Sequence, residues 1–437
     1  MTAAPAPPPS PGRRRRIHPA WLVAGVAFLA LVGAAGFRSA PSALIVPLQT
    51  EFGWSTSSLS LAVSVNILLF GLTAPFAAAL MERFGIRRVT TVALLLISAG
   101  AALSTLATAP WMLDLTWGLL IGLGTGSMAL VFAAMVADRW FVKNKGLVTG
   151  VLTAGSATGQ LIFLPIVATL AVDVSWRVAS LLIAALALVV APIVAVFLRN
   201  SPADLDVTPY GSPPDAVPTQ PGRSPVNPAR HAIQVLGRAA RRRTFWALVA
   251  GFAICGATTN GLVGTHLIPA LHDHGLPETT AAGLLAVVGV FDVVGTIASG
   301  WLTDRIDPRI LLAVYYAGRG LSLLLLPFLM AATVRPPIVL FVVIYGLDWV
   351  ATVPPTAALC REVFGAEGSV VYGWVFASHQ IGASAAAFGA GVLRDVTGQY
   401  TWAWFGAAGL CVVAAIVSAG IARRRRASDT GAVVASG

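Results

Sequence analysis

Four charged side chains interrupt apolar stretches that are long enough to cross a membrane. They are Arg38, Asp292, Arg319 and Asp348. A charged side chain at the centre of a bilayer is unfavourable by about 2.5–3.5 kcal/mol on insertion scales, so each one needs a partner or a function. A guanidinium can bind a carboxylate bidentately, and a carboxylate can take up and release a proton. The sequence therefore offers groups for anion binding and for proton exchange.

These four residues differ in their expected roles. We expect Arg38, in the first apolar stretch, to bind an anionic substrate; the alternatives are extension to the membrane interface or a permanent ion pair. We expect Asp292 to carry a coupling proton, and the alternative is a permanent pair with Arg38. Arg319 is predicted to be structural and to pair with a neighbour such as Asp348, which stays a weaker candidate for substrate contact or coupling.

Neutral polar side chains in the same stretches are further candidates for substrate contact or proton relay. They are Asn66, Gln160, Asn260, His266 and His379. Histidine titrates near neutral pH, and an amide can both donate and accept hydrogen bonds. Each could equally be a hydrogen-bonded packing residue. The sequence His272-Asp273-His274 resembles a metal-binding pair but supplies too few ligands, so no metal site is predicted.

Composition places the chain in a membrane. Of its 437 residues, 57% are hydrophobic and only 11% are charged, and the mean hydropathy is +0.80. Two soluble domains of this length would need far more charge on their surfaces. The sequence contains no phosphate-binding P-loop and no metalloprotease or nucleophile-elbow motif, so neither ATP hydrolysis nor an enzyme activity is expected. No cofactor is predicted.

Twelve apolar stretches predict twelve membrane-spanning helices, an all-α membrane protein. Their approximate bounds are 20–46, 56–80, 89–108, 111–137, 147–171, 178–198, 244–271, 279–302, 310–332, 336–359, 371–393 and 400–422. The predicted organisation is a disordered basic tail (1–19), a six-helix bundle (20–198), a linker (199–243), a second six-helix bundle (244–422) and a second tail (423–437). The linker is expected to begin as a disordered Pro-rich segment and to end in a basic amphipathic helix on an anionic leaflet.

The two predicted bundles repeat each other at an offset of 222 or 223 residues. Asp173-Val174 after the fifth span recurs as Asp395-Val396 after the eleventh. The loops after spans two and eight share small, acidic and basic positions. These positions are Glu82, Arg83, Gly85 and Arg87 in the first copy and Gly300, Asp304 and Arg305 in the second. Duplicated bundles of this kind build transporters whose site lies between the halves.

The net charge of +11 comes from Lys and Arg residues whose positions indicate how the chain is oriented in the membrane. With the amino terminus in the cytoplasm, 24 of the 29 Lys and Arg residues fall on the cytoplasmic side and 3 outside. This asymmetry predicts a multi-pass protein of the cytoplasmic membrane with both termini in the cytoplasm. The basic clusters flank spans and lack interleaved aromatic residues, so their expected partner is anionic lipid and not nucleic acid. A monomer is expected.

The loop after span two resembles the signature Gly-x-x-x-Asp-Arg-x-Gly-Arg-Arg of the major facilitator superfamily, with Ala78 and Glu82 at the first and fifth positions. Within that superfamily, Trp140-Phe141-x-Lys143-x-Lys145 is similar to the span-five motif of the monocarboxylate-transporter branch, which includes oxalate/formate-exchanger-like members. Arg38 lies where that branch has a functional Lys. Thr296 stands where it has an Arg one turn after the span-eight Asp.

This resemblance implies alternating-access transport of a small organic anion such as a monocarboxylate, coupled to protons. It also implies that the two repeated loops, from Glu82 to Arg87 and from Gly300 to Arg305, form a gating latch. Arg38 would bind the carboxylate, Asp292 would carry the coupling charge, and His379 and His266 would relay protons. One alternative is a proton-driven exporter of a hydrophobic metabolite or drug. The antiporter signature for that class is only partly met, because Gln160 stands where it has Pro. A transporter-like sensor is a further alternative.

Overall fold

The computed structural model describes residues 18–128, 130–213 and 228–421. The predicted tails and the middle of the linker, residues 1–17, 214–227 and 422–437, lie outside these ranges. Within the described residues the chain forms twelve membrane-spanning helical segments, hereafter spans 1 to 12. They run over Pro19–Phe52, Thr56–Phe84, Ile86–Ser104, Pro110–Trp140, Lys145–Leu170, Trp176–Phe197, Arg243–Asp273, Glu278–Thr303, Pro308–Leu329, Pro336–Asp348 continued by Val353–Phe364, Gly368–Thr397 and Thr401–Ala419.

Length and hydropathy explain these helices, because a helix forms all of its backbone hydrogen bonds internally and so needs no hydrogen bonds from lipid. Ten helical stretches in the described ranges are long and apolar enough to cross a membrane. Two of them, 162–197 and 336–397, each contain a chain turn and therefore two spans. The turns lie at Ser175, where the backbone is extended, and at Gly365, where φ is +59°. The predicted all-α membrane fold is confirmed, and the helices are consistent with twelve spans.

Several spans depart from regular α-helix near their middle. Span 4 contains a π-helical segment, Asp114–Ile121, and span 7 contains another, Ala257–Val263. Span 10 is broken between Asp348 and Val353. Span 4 is interrupted at Met128, which lies 222 positions before Val350 in the span 10 break. The break in span 10 thus has a counterpart in span 4, whereas the equivalents of the two π-helical segments, residues 336–343 and 35–41, are regular α-helix.

The two halves meet chiefly along spans 2 and 11, with spans 5 and 8 as a second pair. Small side chains permit this approach. The hydroxyl of Ser64 lies 2.8 Å from that of Ser384, and Gly391 packs directly against Ser60. Small residues at helix contacts are typical of membrane proteins. In lipid the hydrophobic effect does not drive helices together, so they associate through close van der Waals packing of their backbones.

The start of the linker is folded, contrary to the expected disorder. Residues 202–205 form a 3₁₀ turn that Ser201 and Asp204 cap reciprocally. Tyr210 then pairs with Phe141 in a β-bridge, and its carbonyl accepts hydrogen bonds from Val142 and Lys143. Composition misled the prediction here, because these contacts come from the loop between spans 4 and 5 and not from the Pro-rich segment itself. We call this side of the molecule the linker end and the opposite side the far end.

The predicted amphipathic helix exists as Pro228–Ala239, but its apolar face packs on protein and not on lipid. Val235 and Ala239 are buried against the second half. Trp374 of span 11 donates its indole N–H to the Ala232 carbonyl at 2.9 Å. Arg238 forms an ion pair with Glu367, 2.5 Å between Nη2 and Oε1. The helix therefore packs against span 11 of the second half and also against span 2 of the first half.

Replacing Val235 by Asp should release this linker helix, because the new carboxylate cannot be buried there without a partner. Limited proteolysis of purified protein should then cut between residues 228 and 243 at least several-fold faster than in the parent. Ile233→Asp is the matched control, since Ile233 lies on the same helix and is 55% exposed. Faster cleavage of both variants would show that the apolar face is held by something other than this docking.

Candidate functional site

A cavity lies between the halves and is lined by spans 1, 2, 7 and 11. It encloses about 50 Å³ and brings together three of the predicted site residues, Arg38, Asn66 and Asn260. Its other described lining residues are Pro41, Ser42, Val63, Ile67, Phe70, Gly264, Thr265 and Gln380. Arg38 and Asn260 are 222 positions apart, so spans 1 and 7 contribute equivalent positions of the repeat.

Arg38 is half-buried and lies against an aromatic ring. Its guanidinium carbon is 4.6 Å from the centroid of the Phe70 ring on span 2. A cation over an aromatic face is stabilised by about 0.5–2 kcal/mol, depending on how far it is desolvated. This contact holds the guanidinium beside the same space that the polar side chains line. The cavity can therefore attract and hold an anion.

Two of the predicted amides occupy different positions in the cavity wall. Asn66 donates from Nδ2 to the Trp117 carbonyl at 2.7 Å, so it also holds the π-helical segment of span 4. Asn260 lies within the π-helical segment of span 7. Such segments are frequent at functional sites, because they turn a side chain away from the regular helical register.

Sequence reasoning missed Gln380, Ser42 and Thr265, which also line the cavity. Gln380 directly follows His379, and histidine drew attention because it titrates near neutral pH. The signal in the sequence was a glutamine in an otherwise small and apolar stretch of span 11. The side chain of Gln160 lies outside the described part of the structure, so its predicted contact stays a prediction.

Asp292 does not line the cavity. Its Oδ1 accepts hydrogen bonds from the Thr296 hydroxyl and from the Val350 amide, each at 3.1 Å. Arg38 is not among its contacts in the described residues, so the alternative of a permanent Arg38–Asp292 pair does not hold in this structure. Thr296, which stands where the related branch has Arg, is instead a hydrogen-bond donor to this carboxylate.

Arg319 and Asp348 form the expected ion pair inside the second half. Arg319 Nε lies 2.5 Å from Asp348 Oδ2, and the arginine is 1% exposed. A second nitrogen of the guanidinium, Nη2, donates to the carbonyls of Asp348 and Trp349 at 2.6 and 3.3 Å. The third, Nη1, faces Cys255 Sγ at 3.0 Å. The prediction that Arg319 supports structure is confirmed at the level of these contacts.

The break in span 10 is closed by side chains from its neighbours. Arg319 of span 9 takes the carbonyls freed at the end of Pro336–Asp348, while Asp292 of span 8 takes the Val350 amide. Ser299 of span 8 donates its hydroxyl to the Ala351 carbonyl at 2.5 Å. Three of the polar residues expected in the membrane, Asp292, Arg319 and Asp348, thus converge on one irregular turn.

The two candidate histidines have different surroundings. His266 is fully buried, with one ring nitrogen 3.3 Å from the Tyr400 hydroxyl and the other 2.7 Å from the Ala387 carbonyl. Both nitrogens are therefore occupied, as expected for a packing residue. His379 lies between the rings of Phe252 and Phe376, and its Nδ1 has no hydrogen-bond partner in the described structure.

A profile of the Major Facilitator Superfamily matches residues 26–387. This match includes most of both halves. The chain belongs to the Major Facilitator Superfamily. The similar proteins and the solved structures that share its fold are transporters, and the protein is accordingly a multi-pass membrane transporter of this superfamily.

Several relatives are similar over nearly their whole length. Human monocarboxylate transporter 11 is 28% identical over 433 residues, which is 97% of this chain and 86% of that protein. Monocarboxylate transporter 13 of Rattus norvegicus is 28% identical over 388 residues, 87% of this chain and 84% of that one. An uncharacterised MFS-type transporter of Bacillus subtilis, YcxA, is 24% identical over 397 residues, 87% of this chain and 90% of that one.

Two solved transporters share the fold. A mutant of the nucleoside transporter NupG has a TM-score of 0.73 and 12% identity, and the match covers 92% of this chain and 100% of that one. A bacterial homologue of the human lysosomal transporter Spinster, in an inward-facing and unoccupied conformation, has a TM-score of 0.69 and 15% identity, covering 94% and 97%. At these identities the likeness concerns the fold alone.

The first copy of the superfamily's signature loop contacts the linker. Gly85, with φ of +88°, makes the turn between spans 2 and 3. The Arg87 amide donates to Asn200 Oδ1 at 3.0 Å, and Arg139 donates to the Asn200 carbonyl at 3.2 Å. Glu82 is exposed and forms no ion pair with the described residues of the other half. In this structure the polar contacts of the first copy are thus made with the adjoining linker.

The second copy is likewise confined to its own half. Arg305 lies over the Trp301 ring at 4.0 Å, and Asp304 is exposed without an ion pair in the described residues. The ionic contact of this loop with span 10 comes from Arg309, which reaches Glu362 at 2.8 Å. The predicted latch between the halves stays a prediction, and Gly300 has open space beside it.

At the far end a cap joins the two halves. Asp395, at the end of span 11, accepts hydrogen bonds from the amides of Thr56 and Ser57 at 3.0 and 2.8 Å. These amides are the free donors at the start of span 2, where the helix dipole also favours a carboxylate. The repeat-equivalent of Asp395 is Asp173, which is exposed and makes no such bond in the described structure. Glu278 occupies the position on span 8 that matches Thr56, so a second carboxylate there would be repelled.

Asp348→Ala should lower the free energy of unfolding by on the order of 3 kcal/mol, because Arg319 would keep its charge without its ionic partner. Thermal or denaturant unfolding in detergent measures the loss. Asp304→Ala is the control, since Asp304 is exposed, and it should change stability by no more than about 0.5 kcal/mol. Equal effects of the two substitutions would contradict a stabilising role for the buried pair.

Asp395→Ala should loosen the far end of this superfamily member, whereas Asp173→Ala should leave it unchanged. The readout is the rate at which a membrane-impermeant maleimide modifies a cysteine placed at Gln49, which lines the far-end cavity of about 280 Å³. The three native cysteines are buried and give little background. We expect modification several-fold faster only in Asp395→Ala. The same acceleration in both variants would contradict an asymmetric cap.

Proposed function

We propose that the protein is a proton-coupled, alternating-access transporter of a small organic anion such as a monocarboxylate. The observation that carries this proposal is the charge of the cavity. Arg38 is the one ionisable side chain among its described lining residues, and the rest are apolar or neutral polar. A net positive cavity favours the binding of an anion, and the small volume favours a short one.

The relatives support the same class of substrate. Two of the similar proteins are named monocarboxylate transporters, and both align over most of the chain. In place of that branch's late span-one Lys this chain has Arg38, whose planar guanidinium can hold both oxygens of a carboxylate. The departure at Thr296 removes the second cation that the branch would offer in span 8. We propose that the ionic part of carboxylate recognition rests here on Arg38 alone.

For coupling, we propose Asp292 as the proton carrier. Its carboxylate accepts the Val350 amide at the span 10 break, so protonation would weaken this bond and free the turn to rearrange. Protonation of Asp292 would thus affect the substrate site through a movement of span 10, and not through direct contact between Asp292 and the substrate. His379 would act as the relay, because its Nδ1 has no partner in the described structure and the residue precedes Gln380. We assign no coupling role to His266 or Asp348, because His266 already contacts Tyr400 and Ala387, and Asp348 is paired with Arg319.

We propose that the protein lies in the cytoplasmic membrane with its linker end in the cytoplasm. The Lys and Arg residues that flank the spans concentrate at that end, as the positive-inside rule requires. Both termini then lie in the cytoplasm and the Asp395 cap closes the outer side. The exposed arginines would face anionic lipid headgroups. A monomer suffices, because both halves of the site come from one chain.

Proteoliposomes with an inwardly directed proton gradient test this proposal with a panel of short radiolabelled carboxylates. We expect gradient-driven uptake that Arg38→Ala reduces at least about 100-fold and that Arg38→Lys retains with weaker binding, because Lys presents a point charge. Arg335→Ala is the control, since Arg335 lies in an exposed loop. Asp292→Asn should preserve exchange of labelled for unlabelled substrate while abolishing stimulation by the gradient.

Each alternative gives a different result. Export of hydrophobic compounds without carboxylate uptake would favour the exporter, and ligand-induced thermal stabilisation without flux would favour a sensor. Unchanged carboxylate uptake in Arg38→Ala would overturn the assignment of the binding residue. Gradient stimulation that survives in Asp292→Asn would overturn the assignment of the proton carrier.

A further inference from the structure

The two halves meet at the far end and in the middle of the molecule, and they part towards the linker end. Along spans 2 and 11 the far-end cap is followed by the contact between the Ser64 and Ser384 hydroxyls at 2.8 Å. Near the middle, Gly71 packs so closely on span 11 that an added Cβ would come within 2.3 Å of Gln380 Cβ. Farther along, Gly373 of span 11 has no described atom within 4 Å of an added Cβ. The close seam between these spans therefore ends before the linker end.

The other contacts between the halves show the same pattern. Span 1 packs against Gly264–Asp273, which is the far-end part of span 7. At the linker ends of spans 5 and 8, Gly146 and Gly300 have no described atom within 4 Å of an added Cβ. In this structure the molecule is therefore closed at the far end and open at the linker end.

The linker helix, Pro228–Ala239, lies on the open side and packs against both span 2 and span 11. Two polar contacts tie it to the second half. The indole N–H of Trp374 donates to the Ala232 carbonyl at 2.9 Å, and Arg238 Nη2 lies 2.5 Å from Glu367 Oε1. These contacts fix the helix near both of its ends. Its packing against span 2 is then the contact that crosses from one half to the other.

The rest of the linker is too long to set the distance between the halves. Tyr210 is fixed on the first half by its bridge to Phe141 and by the Trp21 ring, whose centroid is 5.5 Å from that of Tyr210. Seventeen residues, 211–227, separate Tyr210 from the linker helix. A chain of that length can reach up to about 55 Å, whereas a helix that crosses a membrane is about 30 Å long. A restraint on the halves must therefore come from the helix itself.

We propose that the linker helix is a strut that keeps spans 2 and 11 apart at the linker end and so stabilises the conformation that is open on that side. This rests on the proposed alternating access, in which the linker end closes when the far end opens. Closure requires spans 2 and 11 to approach where the helix now lies, so the helix has to be displaced from span 11. The hydrogen bond of Trp374 and the ion pair of Glu367 oppose that displacement. Their strength therefore biases the equilibrium between the two conformations.

The test measures the distance between spin labels on the linker ends of the two halves, in full-length protein reconstituted in lipid. Cysteines at Leu147 and Ile306 carry the labels, since these side chains are 61% and 39% exposed and touch neither the strut nor each other's half through any described polar contact. The three native cysteines are buried. Trp374→Phe keeps an aromatic ring and removes the N–H, and Glu367→Gln removes the charge that pairs with Arg238. Each should raise the population of the shorter distance roughly 3- to 10-fold, as expected for one lost hydrogen bond.

Trp246→Phe is the matched control. The Trp246 indole also donates to a linker carbonyl, that of Ala240 at 2.8 Å, but it comes from the start of span 7 and does not hold the helix on span 11. Its replacement removes the same kind of hydrogen bond from the same region, and should leave the distance distribution unchanged.

A second readout separates a strut from general stabilisation. Closure at the linker end has to be accompanied by opening at the far end, so a membrane-impermeant maleimide should modify a cysteine at Gln49 several-fold faster in Trp374→Phe and Glu367→Gln. A variant that is merely loosened would broaden the linker-end distances without this acceleration, and that result would overturn the strut.

The remaining outcomes are equally decisive. Unchanged distances in both variants overturn the proposal, and so do longer distances, which would show that the helix pulls the halves together. If Trp374→Phe does not fold, Glu367→Gln decides the question alone, because the Glu367 side chain is 38% exposed and its replacement leaves no buried gap. Both readouts are made without substrate. Failure to transport any carboxylate would therefore overturn the proposed substrate and leave the test of the strut standing.

Discussion

Lipid offers no hydrogen bonds, so a helix that breaks inside a membrane must find partners for its freed backbone groups within the protein. Span 10 breaks between Asp348 and Val353, and the second half is organised around satisfying that break. Arg319 comes from span 9, and Asp292 and Ser299 come from span 8. Three of the four charged side chains predicted within the spans, Asp292, Arg319 and Asp348, therefore lie at this break.

The first half reaches a similar backbone by other means. Its span 4 is interrupted at the equivalent place, yet Phe70 and Ile97 stand where Asp292 and Arg319 stand 222 positions later. In the first half the Asn66 side chain instead donates a hydrogen bond to a carbonyl of the neighbouring π-helical segment. The duplicated unit has thus kept the interruption of spans 4 and 10 while its buried side chains diverged. One result is that the cavity between the halves contains a single cation among its described residues, because the other buried charges lie within the second half.

Hydropathy predicted the spans because any apolar run of this length must be helical in lipid. The site was predicted in part: Arg38, Asn66 and Asn260 do share a cavity. Asp292 was expected beside them, but a sequence does not show which face of span 8 points to the other half. Gln380 was overlooked because its place in the cavity wall is visible only in three dimensions. The folded start of the linker was missed for a related reason, since Tyr210 is held by residues about 70 positions earlier.

The polar contacts fall into two physical classes, and the difference has a consequence for how this molecule moves. Those around Arg319 are sealed from water, so breaking them would leave orphaned groups in a medium of low polarity. The cap of Asp395 on Thr56 and Ser57 lies at the membrane edge, where water can take over each hydrogen bond as it opens. Separation there is an exchange of partners and not a loss, with a net cost of only about 1 kcal/mol per bond. The hydrogen bonds that join the halves at the far end can therefore open one at a time at little cost, whereas those around Arg319 resist opening.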